Sequence, residues 1–198
     1  EGTPYIGCVP VEPGLTNVGK SADGSRVIGL NTENEEIAEG LVRFDIVFYV
    51  RMRDGLTQMI INVEAQKGIP TEYQILNRAI FYVSRLISSQ KERDFETSAY
   101  DDIKRVYSIW VCLNMEENSL AHIHLMKDDI LGNEEWKGKL DLFNIVMIGL
   151  AKDLAGQEEA YELHRLLGAL LSGTLTVNEK LKIIGEEYDI PVEAEMRE

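Results

Sequence analysis

The chain has 198 residues, 44% of them hydrophobic and 27% charged, with a formal net charge of −14. That length suits one domain with a buried core, and the acidity excludes a nucleic-acid binder whose whole surface is basic. No run of about 18 apolar residues occurs, so no membrane-spanning helix is expected, and no signal-peptide pattern is visible. Cys8 and Cys112 are far apart and form no CxxC, which fits two reduced thiols in a cytoplasmic protein. The chain starts at Glu1 rather than Met, which reads as a fragment lacking its natural N-terminus.

The acidity is uneven. Residues 41–112 hold nine acids and ten bases, and every other stretch is acidic. A polyanionic partner is therefore expected to meet this middle segment. Residues 1–40, rich in Gly, Pro, Asn and Thr, read as loops with one short strand near Arg26–Leu30. Leu41–Val50 and Thr57–Gln66 read as strands, since Phe, Ile, Val and Tyr dominate them. Between them, Asp54-Gly55 is a hairpin-turn signal, because both turn positions need positive φ. Thr71–Gln90 reads as a long helix, with Pro70 and Thr71 suited to its start. Val106–Leu113 and Ala121–Met126 read as further strands. Leu140–Leu154, Glu158–Leu171 and Asn178–Tyr188 read as helices, with Gly156 and Gly173 as stops. The expected class is α/β, with a central mixed sheet flanked by helices. One domain over 1–198 is expected, with a core at about 26–126 and a helical C-terminal part at 137–190.

If Asp54 and Gly55 are the two turn residues, facing partners have numbers summing to 109, and Asp45 faces Glu64. Opposed side chains in such a ladder have Cβ atoms about 4.5–5.5 Å apart. Two carboxylates that close repel unless a cation lies between them, and magnesium is commonly held by one or two carboxylates plus water and phosphate. Asn62, Glu64 and Gln66 alternate along the strand and project to one face. The same row is what an ordinary amphipathic strand displays; Asp45, set in an otherwise apolar run, is what favours a site. On the helix, Gln74, Arg78, Tyr82 and Arg85 fall within about 80° of one another, with Leu76, Ala79, Ile80, Val83 and Ile87 opposite. Arg is suited to phosphate because its fork donates two hydrogen bonds at once. A solvated helix face is the plainer reading of the same pattern.

These residues resemble the PD-(D/E)XK nucleases, in particular the family transposases related to recombination-promoting nucleases. The blocks that carry the likeness are Gly29-Leu30-Asn31-Thr32-Glu33, Glu39-Gly40, Phe44-Asp45-Ile46, Ile60-Ile61-Asn62-Val63-Glu64-Ala65-Gln66 and Tyr107-Ser108-Ile109-Trp110. They run from about Gly29 to Leu113. The resemblance implies a restriction-endonuclease-like fold, with Asp45 and Glu64 as metal-binding acids. It places Gln66 where the family's general pattern has lysine. It also makes Gln74, Arg78 and Tyr82 the polar helix positions that follow the motif. The function expected on this basis is metal-dependent endonucleolytic hydrolysis of DNA. Mg2+, or Mn2+ in its place, is held by Asp45, Glu64 and the backbone carbonyl of Ala65. Gln66 positions water, and Arg78 and Arg85 meet backbone phosphates. Glutamine in place of lysine, and the −14 charge, support an alternative: a nuclease-fold protein that binds or regulates without cutting. A homodimer is compatible with either reading. His122 and His124 share a strand face but have no third ligand nearby in sequence. His164 has no evident nucleophile partner, Gly14–Ser21 lacks the P-loop spacing, and Glu33–Glu39 and Glu193–Glu198 read as solvated acidic surface.

Overall fold

The computed structural model describes residues 27–29, 33–36, 40–43, 45–51, 58–91, 94–188 and 190. Cys8, the Gly14–Ser21 loop, the Asp54-Gly55 turn and the Glu193–Glu198 tail lie outside the described residues. The strands are β1 (Val27–Gly29), β2 (Glu33–Glu36), β3 (Gly40–Arg43), β4 (Ile46–Arg51), β5 (Gln58–Gln66), β6 (Arg105–Met115), β7 (Ser119–His124) and β8 (Phe143–Ala151). The helices are α1 (Ile75–Ser88), α2 (Glu162–Leu171) and α3 (Val177–Tyr188), with short 3-10 turns at Tyr100–Asp102, Leu140–Leu142 and Glu159–Tyr161. The class is α/β, with a mixed sheet flanked by helices and a helical C-terminal part. Six strands form the main sheet in the order β1-β4-β5-β6-β8-β7, and β2 with β3 forms a separate pair.

Three expectations are corrected. The first is the run Leu140–Leu154, which is not a helix. Its centre is β8, preceded by one 3-10 turn. Asn144, Ile145, Ile148, Gly149 and Leu150 are all buried, so the strand is covered on both faces. Such a strand shows an unbroken apolar run instead of alternation, and periodicity alone does not tell it from a buried helix. β-branched Ile145, Val146 and Ile148, with Gly149 among them, favour the extended state. The helical C-terminal part therefore begins near Glu159 rather than at residue 137. The second is Leu41–Val50, which is two strands, Gly40–Arg43 and Ile46–Arg51, that pair with different partners.

The third is α1, which starts at Ile75, with Gln74 as its N-cap in extended conformation. Its buried face is made by Ala79, Tyr82, Val83, Arg85 and Leu86. Leu76 and Ile80 are exposed at 38% and 40%. The helix is thus turned from the expected orientation, toward burying Tyr82 and Arg85.

The chain forms two compact units. The first comprises Glu1–Ala65, Pro70–Trp110 and Ala121–Met147; the second comprises Gln66–Ile69, Val111–Leu120 and Ile148–Glu198. The core of the first holds Val47, Val50, Ile60, Ala79, Val83, Leu86, Val106, Trp110 and Ile145. In β6, Val106, Ser108 and Trp110 share a strand face and are fully buried. Gln90, also fully buried, follows the end of α1. Its Nε2 donates to the Lys104 carbonyl at 3.0 Å and its Oε1 accepts from the Lys104 N–H at 2.8 Å. One amide therefore satisfies both backbone groups where β6 begins. In the second unit, Val111, Cys112, Ile148, Leu150, Ala155, Ala169 and Ile184 are buried.

Trp110→Ala is expected to destabilise the protein by about 3–5 kcal/mol, through the cavity it leaves. Gln90→Ala is expected to cost about 1–3 kcal/mol, because the Lys104 backbone groups lose their partners. Urea unfolding of both variants checks the two figures; a Gln90→Ala midpoint equal to wild type contradicts the second.

Candidate functional site

β4 and β5 are antiparallel with Ile46 opposite Val63 and Tyr49 opposite Ile60, so partner numbers sum to 109, as the turn chemistry predicts. Continuing the ladder by one residue brings Asp45 against Glu64. Asp45 itself lies just before β4 and is exposed; Glu64 is 2% exposed. The pair is locked by reciprocal hydrogen bonds. The Asp45 N–H donates to Glu64 Oε1 at 3.2 Å, and the Ala65 N–H donates to Asp45 Oδ2 at 2.9 Å. Each carboxylate thus keeps one oxygen outside these two bonds.

Arg78 reaches this pair from the first turn of α1. Its Nη2 lies 4.0 Å from Glu64 Oε2. Two phenols hold the guanidinium: Nη1 donates to the Tyr73 hydroxyl at 2.9 Å and Nη2 to the Tyr82 hydroxyl at 2.8 Å. Its carbon also lies 4.9 Å from the Tyr82 ring centroid and 5.4 Å from the Trp110 ring, within cation–π range. Trp110 in turn donates from Nε1 to Ser108 Oγ at 2.8 Å, and Asn62 Nδ2 donates to the same oxygen at 2.9 Å. A buried polar row, Glu64, Asn62 and Ser108, therefore runs through an otherwise apolar core. Asn62 Oδ1 is buried without a partner.

Burial pushes the Glu64 carboxyl up from the usual 4.5 to about 7, and the neighbouring Asp45 charge adds to the shift. The Asp45 N–H, Arg78 and Asn62 oppose it without cancelling it. A carboxylate held at such cost is one that a bound cation would stabilise.

The other expected site residues fall out differently. Gln74 is exposed at the helix N-cap and makes no capping hydrogen bond. Tyr82 is buried against Arg78 and Trp110, so it braces the arginine instead of facing solvent. Arg85 is 2% exposed, which removes it from a phosphate-binding surface. Gln66 ends β5 in the second unit, where its Nε2 donates to the Gly68 carbonyl at 2.9 Å. Tyr73 and Ser108 are members of the cluster that sequence reading did not select. Ser108 and Trp110 stand two apart in a strand and so share a face, which was the available signal; Tyr73 falls within the expected helix Thr71–Gln90 but off its polar face, and in the structure it precedes α1, so helical spacing gave no signal for it.

His122 is exposed, with Nε2 3.1 Å from Asn144 Oδ1 and its ring 4.9 Å from that of His124. Among the described residues no group of three His, Cys, Asp or Glu side chains gathers as a metal cluster. The donor set at Asp45 and Glu64 is two carboxylates, which suits a hard cation that keeps several waters and does not amount to a closed protein cage. No protein-family model matches the chain, and neither a curated protein nor a solved structure does.

The raised Glu64 value has a definite sign in stability. Its folded value lies above the unfolded one, so its contribution is fully present below about pH 4.5 and is lost as pH rises through 7. Metal-free Glu64→Gln is expected to lack this decline and to exceed wild type at pH 8 by on the order of 2 kcal/mol. Melts in EDTA across pH 5–8 measure the difference; parallel curves for the two proteins contradict the burial of this carboxyl.

Proposed function

We propose that the Asp45–Glu64 pair is the divalent-cation site of a PD-(D/E)XK-type endonuclease that hydrolyses phosphodiester bonds in DNA. The observation that carries this reading is the facing of Asp45 and Glu64 at the 109 register, with Arg78 at 4.0 Å from Glu64. The likeness to the nuclease family transposases in the Phe44-Asp45-Ile46 and Asn62–Gln66 blocks supports it, as does the order of hairpin, helix and strand. A restriction-endonuclease-like core is the fold that this reading assigns to β4, β5, α1 and β6.

Asp45, Glu64 and the Ala65 carbonyl would hold the cation, Mg2+ or Mn2+. The chemistry supplied by a bound divalent ion is polarisation of the phosphodiester and acidification of a water. Among the described residues, Arg78, held in place by Tyr73 and Tyr82, is the cation best placed to meet a phosphate oxygen, because its fork is oriented before any ligand arrives. Its partial exposure, 31%, leaves it reachable. Residues 41–112 carry the near-balanced charge that a polyanion requires in a chain of −14.

A second reading is a binding or regulatory protein of the same fold that does not cut. It is favoured by Gln66, a neutral amide that stands in for the family's lysine and brings no positive charge; its Nε2 already donates one hydrogen to the Gly68 carbonyl.

Plasmid nicking with magnesium separates the two. Under the first reading, Asp45→Asn and Glu64→Gln each lower metal-dependent nicking by about a hundredfold or more, EDTA abolishes it, and both variants melt as cooperatively as wild type. Cleavage that persists in both variants refutes the site. A wild type that binds DNA or magnesium but never nicks supports the second reading.

A further inference from the structure

β7 is the last strand in the order of the main sheet, and both of its histidines belong to the first unit. His122 and His124 stand two apart, so they share a strand face, and both are exposed. Their ring centroids are 4.9 Å apart. An ion about 2.0–2.1 Å from one nitrogen of each imidazole stands about 3.2 Å from each centroid, which puts the centroids about 4.5–5.2 Å apart at N–metal–N angles of about 90–110°. The observed spacing falls inside that window.

His122 is also held in the ring state that a metal needs. Asn144, on the neighbouring strand β8, is 3% exposed. Its Nδ2 donates to the Asp141 carbonyl at 2.8 Å and to the Val106 carbonyl at 3.3 Å. Both of these oxygens only accept, so the amide nitrogen is fixed on their side, and Oδ1 is the atom that meets His122 Nε2 at 3.1 Å. Nε2 therefore carries a proton, and in the neutral ring Nδ1 is left with its lone pair. A buried acceptor that sets the tautomer and plane of an imidazole is the usual outer support of a metal-bound histidine. Among the described residues His124 has no hydrogen-bond partner, so either of its nitrogens can turn to the same ion.

We propose that His122 and His124 chelate one borderline transition-metal ion, Zn2+ or Cu2+, through His122 Nδ1 and one nitrogen of His124, with water in the remaining positions. Two neutral imidazoles without a carboxylate select against Mg2+ and Ca2+, which prefer oxygen. The site therefore takes a different class of ion from the one proposed at Asp45 and Glu64, and it stands whether or not DNA is cut.

Zn2+ is the probe, read by long-range 1H–15N NMR of the full chain, which resolves both nitrogens of each ring. In the metal-free protein His122 is expected as the Nε2–H tautomer. Zn2+ should move His122 Nδ1 and one His124 nitrogen with a single shared midpoint, while His122 Nε2 stays protonated; Mg2+ at the same concentrations should move neither ring. His124→Ala should melt as wild type does, because the ring is exposed. It should weaken Zn2+ binding at His122 about tenfold or more, since the second ligand no longer binds intramolecularly. Asp45→Asn should bind Zn2+ at the histidines as wild type does. His122 nitrogens unmoved by Zn2+, two rings that titrate at different concentrations, or equal Zn2+ affinity in His124→Ala each overturn the proposal.

Discussion

The register between β4 and β5 is the constraint on which the site depends. Side chains alternate along a strand, so a slip of one residue sends a whole row to the other face. Here the slip is opposed from both sides. Val47, Ile60 and Asn62 share one face and are buried at 1% exposure or less, while Ile46, Ile61 and Val63 on the other face are less covered. At the open end of the ladder, the Asp45 and Glu64 carboxylates each accept a backbone N–H from the partner side, which extends the pairing by side chain where the strand itself stops. The acids are therefore part of the hairpin's own hydrogen bonding, and their mutual repulsion is tolerated because each has a donor.

From that hairpin, charge is organised inward. Glu64 is almost fully buried, and Arg78, 4.0 Å from it, is itself bound by Tyr73 and Tyr82 and lies over Trp110. A pair with one buried partner is weak evidence for stability, since taking the Glu64 charge out of water offsets much of the attraction. Its consequence is specificity of arrangement. The guanidinium has two phenol acceptors and three aromatic rings within reach, and few rotamers satisfy all of them. That requirement accounts for the orientation of α1: with Tyr82 and Arg85 drawn inward, Leu76 and Ile80 are left exposed.

Much of this was legible in the chain itself. The turn signal at Asp54-Gly55 yields the 109 register by arithmetic, and the strands, the helix after β5 and the helices at the end follow from composition and period. Two of the errors share one origin. For Phe143–Ala151 an apolar run covered on both faces carries no period to read. For α1, assigning polar residues to solvent failed because Arg85 and Tyr82 are buried. In both cases the missing information was what lies across from the element, which no local window contains.

The sequence by itself determined that Asp45 and Glu64 face each other, because hairpin pairing is a local matter of turn residues and alternation. Only the tertiary structure decided that Glu64 is buried, that Arg78 is held by Tyr73, Tyr82 and Trp110, and that buried Asn144 meets His122 Nε2. These depend on contacts between residues far apart in the chain. Burial and the partners it brings are set by how elements stack, a property of the whole packing and of no single segment.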